Sequence, residues 1–152
     1  SSLYGVVDSI IKYGVCAERF CKYDVDKYHI APSKEAYENA VTHKIKVAKN
    51  VKISHKDITS AISEGYPVII SLKIFDSFGN QSKGFVYRPT EKEIAESKYG
   101  NHAMVICGYS EEDKVYIVRN SWGKGFGDNG YCYIPFSYID LYFVLKHNTQ
   151  FP

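Results

Sequence analysis

The chain has no long apolar run, no marked excess of either charge and no closely spaced cysteine pair, and each absence removes a class of function. Its longest hydrophobic stretches, residues 68–72 and 103–107, are strand-sized, whereas a membrane span needs about 20 residues; no membrane-spanning segment is expected. Ser1 opens no positively charged segment followed by an apolar run, so no signal peptide is read there. Lysine and arginine number 19 against 17 acids, a net charge of +2. That is too small and too evenly spread to suggest a nucleic-acid groove or a membrane-binding face. The four cysteines, Cys16, Cys21, Cys107 and Cys132, include no CxxC pair, so no metal site is expected. They allow three fully paired connectivities or free thiols, and their spacing does not choose among these.

What is present describes one soluble-type domain. The length of 152 residues suits a single core, and 45% hydrophobic with 24% charged residues excludes disordered, collagen-like and coiled-coil chains. Leu3, Val6, Val7, Ile10 and Ile11 recur at helical spacing before Gly14, which predicts a helix over residues 3–13. Ala36, Tyr37, Ala40 and Val41 repeat the spacing behind Pro32 and Ser33. Ser54 and Asp57 read as a capping box ahead of Ile58, Ala61 and Ile62, closed by Gly65. Between these two helices Ile45, Val47, Val51 and Ile53 alternate as in a half-buried strand. From Pro67 onward β-branched and aromatic runs predict strands over residues 67–75, 84–88, 103–109, 115–120, 131–135 and 141–146. The polar, glycine-bearing stretches 76–83 and 90–100 are expected loops at the rim of a cleft.

The predicted hairpin of 103–109 and 115–120 carries the chemistry. A turn centred near Glu112 sets His102 against Trp122 with Asn120 at the diagonal, and a two-residue shift sets it against Asn120 itself. Opposed Cβ atoms lie about 5 Å apart and diagonal ones about 7 to 8 Å, so either register lets the Asn120 amide oxygen accept from the imidazole. The ring is then oriented with its second nitrogen free, which supplies a base and an orienter to a nucleophile.

The run Gly100-Asn101-His102-Ala103 to Gly108-Tyr109, then Val118-Arg119-Asn120-Ser121-Trp122-Gly123, then Gly127-Asp128-Asn129-Gly130-Tyr131, resembles the histidine and asparagine half of papain-like cysteine peptidases. Weaker similarity runs through residues 11–16, 61–67 and 134–138, toward the branch found in bacteria and large viruses. The resemblance implies an α+β papain-like fold, here mostly the antiparallel, β-barrel-like C-terminal subdomain (31–152) with the tail of the helical subdomain (1–30). His102 would be the general base and imidazolium partner, Asn120 its orienter, and Trp122 both a shield over their hydrogen bond and a substrate-binding residue on the leaving-group side of the cleft. Asn101 and Ala103 would line the substrate groove, and Gly100 would admit the substrate backbone. The implied activity is that of a cysteine endopeptidase acting on polypeptides without a cofactor. In this family the nucleophile precedes the histidine by about 130 residues or more, which puts it roughly 30 residues before Ser1. The expected partner is therefore an N-terminal chain or segment of the same precursor that carries that cysteine. Cys16 follows a helix end instead of opening a helix, and is rejected as a substitute. The rival reading is a catalytically dead relative that binds peptide or protein; a thiol acyltransferase is a third. Secreted, lysosome-like and virion-associated locations are all compatible with the resemblance.

Plainer readings apply to other residues. His29, His43, His55 and His147 have no partner at a functional spacing and are taken as solvated. Gly125-x-Gly127-x-x-Gly130 matches a dinucleotide fingerprint but precedes a strand instead of a helix, so the match is accidental. Cys107 reads as a small buried hydrophobe, and the fourteen tyrosines as sheet formers and barrel core.

Overall fold

Ser33 and Ser54 start two helices by the same device. Each sits in extended conformation and its hydroxyl accepts from a backbone N–H three residues on, Ala36 and Asp57 respectively, satisfying a donor that the first helical turn leaves free. The computed structural model describes residues 3–79, 82–96 and 98–139 and divides into two units, residues 1–50 and 51–152.

The first unit holds α1 (Leu3–Lys12) and α2 (Lys34–Val41), with a short 3-10 turn at Val25–Lys27 capped by Asp24. α1 ends at Gly14, whose φ of +85° is the left-handed cap that the sequence suggests. A side chain there is also excluded by space, because a Cβ would lie 1.8 Å from the Ala40 carbonyl oxygen. Asn39 stitches the same junction by accepting from the Ala17 N–H at 2.9 Å. Although its apolar residues follow helical spacing, α1 buries none of them.

The second unit opens with α3 (His55–Ser63), which packs on a four-stranded antiparallel sheet in the order β1 (Val68–Ile74), β2 (Gly100–Ser110), β3 (Val115–Arg119), β4 (Tyr131–Pro135). The alternation of the strands is the alternation of the core. Leu72, Met104, Ile106, Val118, Cys132 and Ile134 face inward with Ile58 of α3. Each such side chain contributes roughly 1.5 to 3 kcal/mol by leaving water.

Several expectations are corrected. Residues 45–53 form no strand, and Ile45, Val47 and Ile53 stay exposed; alternation alone does not make a strand without a neighbour to complete its hydrogen bonds. The stretch 90–100 is not simply a loop. It holds α4 (Glu91–Glu96) and the first residue of β2. Thr90 and Glu93 form a reciprocal capping box: Thr90 Oγ1 accepts from the Glu93 N–H at 3.2 Å, and a Glu93 carboxylate oxygen accepts from the Thr90 N–H at 2.8 Å. Asp76–Gly79, within the other expected loop, is a 3-10 turn that buries Phe78. Residues 84–88 make only isolated pairings with β4, through the Val86 N–H to the Tyr133 carbonyl and the Tyr133 N–H to the Gly84 carbonyl. The tyrosines are mostly at the surface; Tyr116 and Tyr138 are the buried ones among the described residues. The strand expected over 141–146 lies outside the described residues.

Cys107 is exposed: after the inward-facing Met104 and Ile106 the alternation of β2 turns it outward, at the β-bulge between Ile106 and Gly108. All four cysteines are free thiols. No helix among the described residues is long and apolar enough to cross a membrane, and no group of three metal-ligating side chains occurs among them.

Candidate active site

The bulge at Cys107 sets the geometry of the site. On the turn side of it Tyr109 opposes Tyr116, while on the other side Ile106 opposes Val118 and Val105 opposes Arg119. Continued past the end of β3, that second register places His102 opposite Trp122 with Asn120 at the diagonal, the first of the two arrangements considered above. His102 Nε2 lies 2.7 Å from Asn120 Oδ1. The His102 and Trp122 rings stack at 4.8 Å between centroids and 30° between planes.

The tautomer follows from the neighbours. Asn120 Oδ1 also accepts from the Ser121 backbone N–H at 2.8 Å. A peptide N–H only donates, so that atom is the amide oxygen, and the imidazole nitrogen facing it must carry its hydrogen. Nε2–H therefore donates to Asn120, and the lone pair of the neutral ring is at Nδ1. Asn120 is buried, and its peptide N–H donates to the Gly130 carbonyl at 3.0 Å. Its Nδ2 is buried without a hydrogen-bond partner among the described residues. Burial strengthens the bond that orients the imidazole by excluding competing water.

The glycine-rich segment after Trp122 closes on itself to complete this arrangement. Gly130 has φ of +91°, and a Cβ on it would stand 3.1 Å from the Gly123 carbonyl oxygen; the Gly130 N–H donates to Phe126 O at 2.7 Å. The closed loop sets the Phe126 ring edge-on to Trp122 at 4.9 Å. Phe78 meets Trp122 edge-on from the 3-10 turn at 5.9 Å and stacks on Phe126 at 6.1 Å. Trp122 is thus fixed by two phenyl rings while 48% of its surface stays exposed.

Gly100, Asn101 and Ala103 are all exposed, at the start of β2 opposite Ile74, Lys73 and Ser71. Asn101 and Ala103 share one face of the strand and His102 the other. Among the described residues nothing crowds Gly100, where an added Cβ would come no nearer than 4.0 Å to Ile74.

None of the thiols in the second unit has the environment of a nucleophile. Cys132 is fully buried, and desolvation, with a smaller contribution from Cys107, pushes its thiol up to about 12. Cys107 points its sulfur at the Ile117 carbonyl oxygen, 3.4 Å away.

Sequence reasoning missed Phe78, Phe126, Glu93 and His55. The first two are lone aromatics in polar or glycine-rich segments, where nothing local says what they pack on. Glu93 was legible in the Thr-x-x-Glu spacing of Thr90 and Glu93. His55 is not simply solvated: its Nδ1 lies 3.0 Å from the Tyr116 hydroxyl, its Nε2 lies 2.8 Å from Glu111, and its ring is 4.2 Å from that of Phe136. His43 is exposed, with Nδ1 3.0 Å from the Asn39 carbonyl oxygen, and His29 is exposed beside Tyr28; His147 lies outside the described residues.

Residues 3–139 match the profile of papain family cysteine proteases. The chain belongs to the papain family of cysteine proteases. It is 36% identical over 149 residues to a peptidase C1-like protein of Acanthamoeba polyphaga mimivirus, covering 88% of this chain and 45% of that protein. It is 35% identical over 68 residues to ananain of Ananas comosus, covering 43% of this chain and 18% of ananain. Among solved structures, xylellain, a cysteine protease from Xylella fastidiosa, superposes with a TM-score of 0.78 at 25% identity, over 91% of this chain and 56% of xylellain. The chain thus spans less than half the length of these curated relatives and just over half of xylellain. The mixture of helices and antiparallel sheet is that of the papain-like fold.

Proposed function

We propose that the chain supplies the base, His102, and its orienter, Asn120, to a papain-like cysteine endopeptidase whose nucleophilic cysteine lies in a segment upstream of Ser1. The observation that carries this reading is the Nε2 to Oδ1 distance of 2.7 Å together with the Ser121 N–H on the same oxygen. That pairing leaves His102 Nδ1 as the nitrogen available to a thiol. The upstream position of the cysteine is supported by the spacing of the family motif and by the unsuitable environments of Cys107 and Cys132.

The chemistry then follows from the tautomer. Nδ1 takes the proton of the thiol, giving a thiolate and imidazolium pair held by mutual attraction. The thiolate sulfur attacks the peptide carbonyl carbon; as the C–N bond breaks, Nδ1–H gives its proton to the departing amine. Nδ1, again neutral, accepts a proton from a water whose oxygen attacks the thioester carbonyl carbon; the C–S bond then breaks, Nδ1–H returns its proton to the departing sulfur, and the acid product is released. Asn120 holds the ring through both transfers. Trp122 covers the bond between His102 and Asn120, and Gly100, Asn101 and Ala103, exposed at the start of β2, flank His102 where the substrate polypeptide would pass. Because no described residue comes nearer than 4.0 Å to a Cβ at Gly100, Gly100→Ala tests this placement: it should slow hydrolysis while leaving the fold intact.

The test is labelling of the complete protein with an epoxide-type thiol probe, followed by peptide mass spectrometry. Label on a cysteine outside this sequence, abolished by His102→Ala, is the expected result. A folded protein that takes no label, or that labels equally without His102, overturns the assignment and leaves a peptide-binding relative without a nucleophile.

A further inference from the structure

The capping box of α4 has an oxygen that its helix does not use. Glu93 Oε2 accepts from the Thr90 N–H at 2.8 Å and from the Thr90 hydroxyl at 2.9 Å, which completes the box. Oε1 instead reaches outside the helix and accepts from the Ser77 backbone N–H at 2.9 Å. Ser77 lies in the 3-10 turn Asp76–Gly79, and the next residue is Phe78. Phe78 is buried, with its N–H bonded to the Phe75 carbonyl at 2.9 Å, and its ring stands edge-on to Trp122. Trp122 in turn stacks on the His102 imidazole. One carboxylate thus joins α4 to the turn that carries the ring beneath Trp122.

We propose that Glu93 is a positioning residue for His102, acting by tying the Phe78 turn in place so that Trp122 is held against the imidazole and its bond to Asn120. The proposal rests on the reading of His102 as the base, but its structural half does not depend on catalysis. The two segments that it joins are distant in the chain: the 3-10 turn lies at the end of β1, and α4 lies in the connection to β2. A hydrogen bond to a charged acceptor is also stronger than a neutral one, which suits the Ser77 link as a joint that must hold an aromatic ring in one orientation. Without it the turn gains freedom, Phe78 withdraws its edge from Trp122, and water reaches the Nε2–H bond.

Glu93→Gln separates this role from helix capping. Glutamine serves at the third helical position of a capping box as glutamate does, so its oxygen can keep the Thr90 N–H. Its NH2 then faces the Ser77 N–H, two donors opposed, and the link to the Phe78 turn is lost. The measurement is hydrogen exchange of the His102 Nε2–H, read by proton NMR in the complete protein and assigned by its loss in His102→Ala. Kinetic constants on a peptide substrate are measured alongside.

The expected result for Glu93→Gln is a wild-type far-UV spectrum, faster exchange of the Nε2–H, and a kcat lower by about tenfold to a hundredfold with KM unchanged. Phe78→Leu, which keeps apolar volume but removes the ring, should speed the exchange in the same way. An Nε2–H exchange rate equal to wild type in either variant overturns the proposal. A wild-type protein that hydrolyses no peptide would instead overturn the proposed function, and the exchange rates would still decide the role of Glu93.

Discussion

His102 and Trp122 stack face to face at 4.8 Å although twenty residues separate them in sequence, because a hairpin brings the start of β2 beside the segment that follows β3. Trp122 is the one tryptophan of this chain, which turns the contact into a measurable signal.

The emission of Trp122 should report this stack. His102→Ala removes the ring that covers one face of the indole, so water should reach that face and shift the emission to longer wavelength. Fluorescence spectra of both forms at one pH check this, and an unchanged emission maximum in the variant would show that the stack does not persist in solution.

Asn120→Ala and Asn120→Asp should behave differently. The Asn120 Nδ2 has no partner among the described residues, so an aspartate loses no donor bond to them and keeps an oxygen for both the His102 ring and the Ser121 N–H. Alanine removes that oxygen and leaves the ring unanchored. The His102 Nε2–H resonance should persist in Asn120→Asp and disappear in Asn120→Ala, whose turnover should drop by about a hundredfold. Equal spectra would mean that Asn120 does not set the tautomer.

Glu93 should stabilise the fold at neutral pH and lose that contribution in acid. Hydrogen bonds from the Thr90 N–H first, then from Ser77, lower its carboxyl from 4.5 to about 2. A depressed folded value means that stabilisation is full above pH 4.5 and disappears as pH falls toward about 2. Since the group sits at the surface, solvent screening limits the effect to about 1 kcal/mol. Urea unfolding of wild type and Glu93→Ala should differ at pH 6 and converge near pH 2; a gap that persists in acid would contradict this.

Native thiol labelling should separate Cys107 from Cys132. Cys107 stands exposed on the bulge, whereas Cys132 is fully buried with its thiol pushed up to about 12. A maleimide applied at neutral pH should modify Cys107 within the folded state and Cys132 only after denaturant is added. Mass spectrometry of the peptides decides it, and early label on Cys132 would mean that β4 opens readily.

Much of this protein is legible without its tertiary structure, because the signals are local. Ser33, Ser54 and Gly14 mark helix ends through hydrogen bonds and torsions settled within a few residues. The alternation over 131–135 places its strand at the residues observed, and the strand pair around Glu112 fixes which residues can face His102. The motif from Gly100 to Trp122 carried the family for the same reason: it lies on one hairpin, whose partners are set by counting.

What the tertiary structure alone decided depends on residues distant in sequence. No pattern near Phe78 or Phe126 tells that both close on Trp122, and nothing near Glu93 points its spare oxygen to Ser77. His55 gains Glu111 and Tyr116 only when α3 packs beside the hairpin, and which face of β2 is covered, leaving Cys107 exposed, is settled by what packs on the sheet. The strand anticipated over 45–53 fails because a strand is completed by its neighbours. Sequence by itself determined the elements and the pair His102 and Asn120, whose energetics are local to one hairpin; the rings and the carboxylate around that pair were decided by packing, where the partner is chosen by the space that the whole second unit leaves.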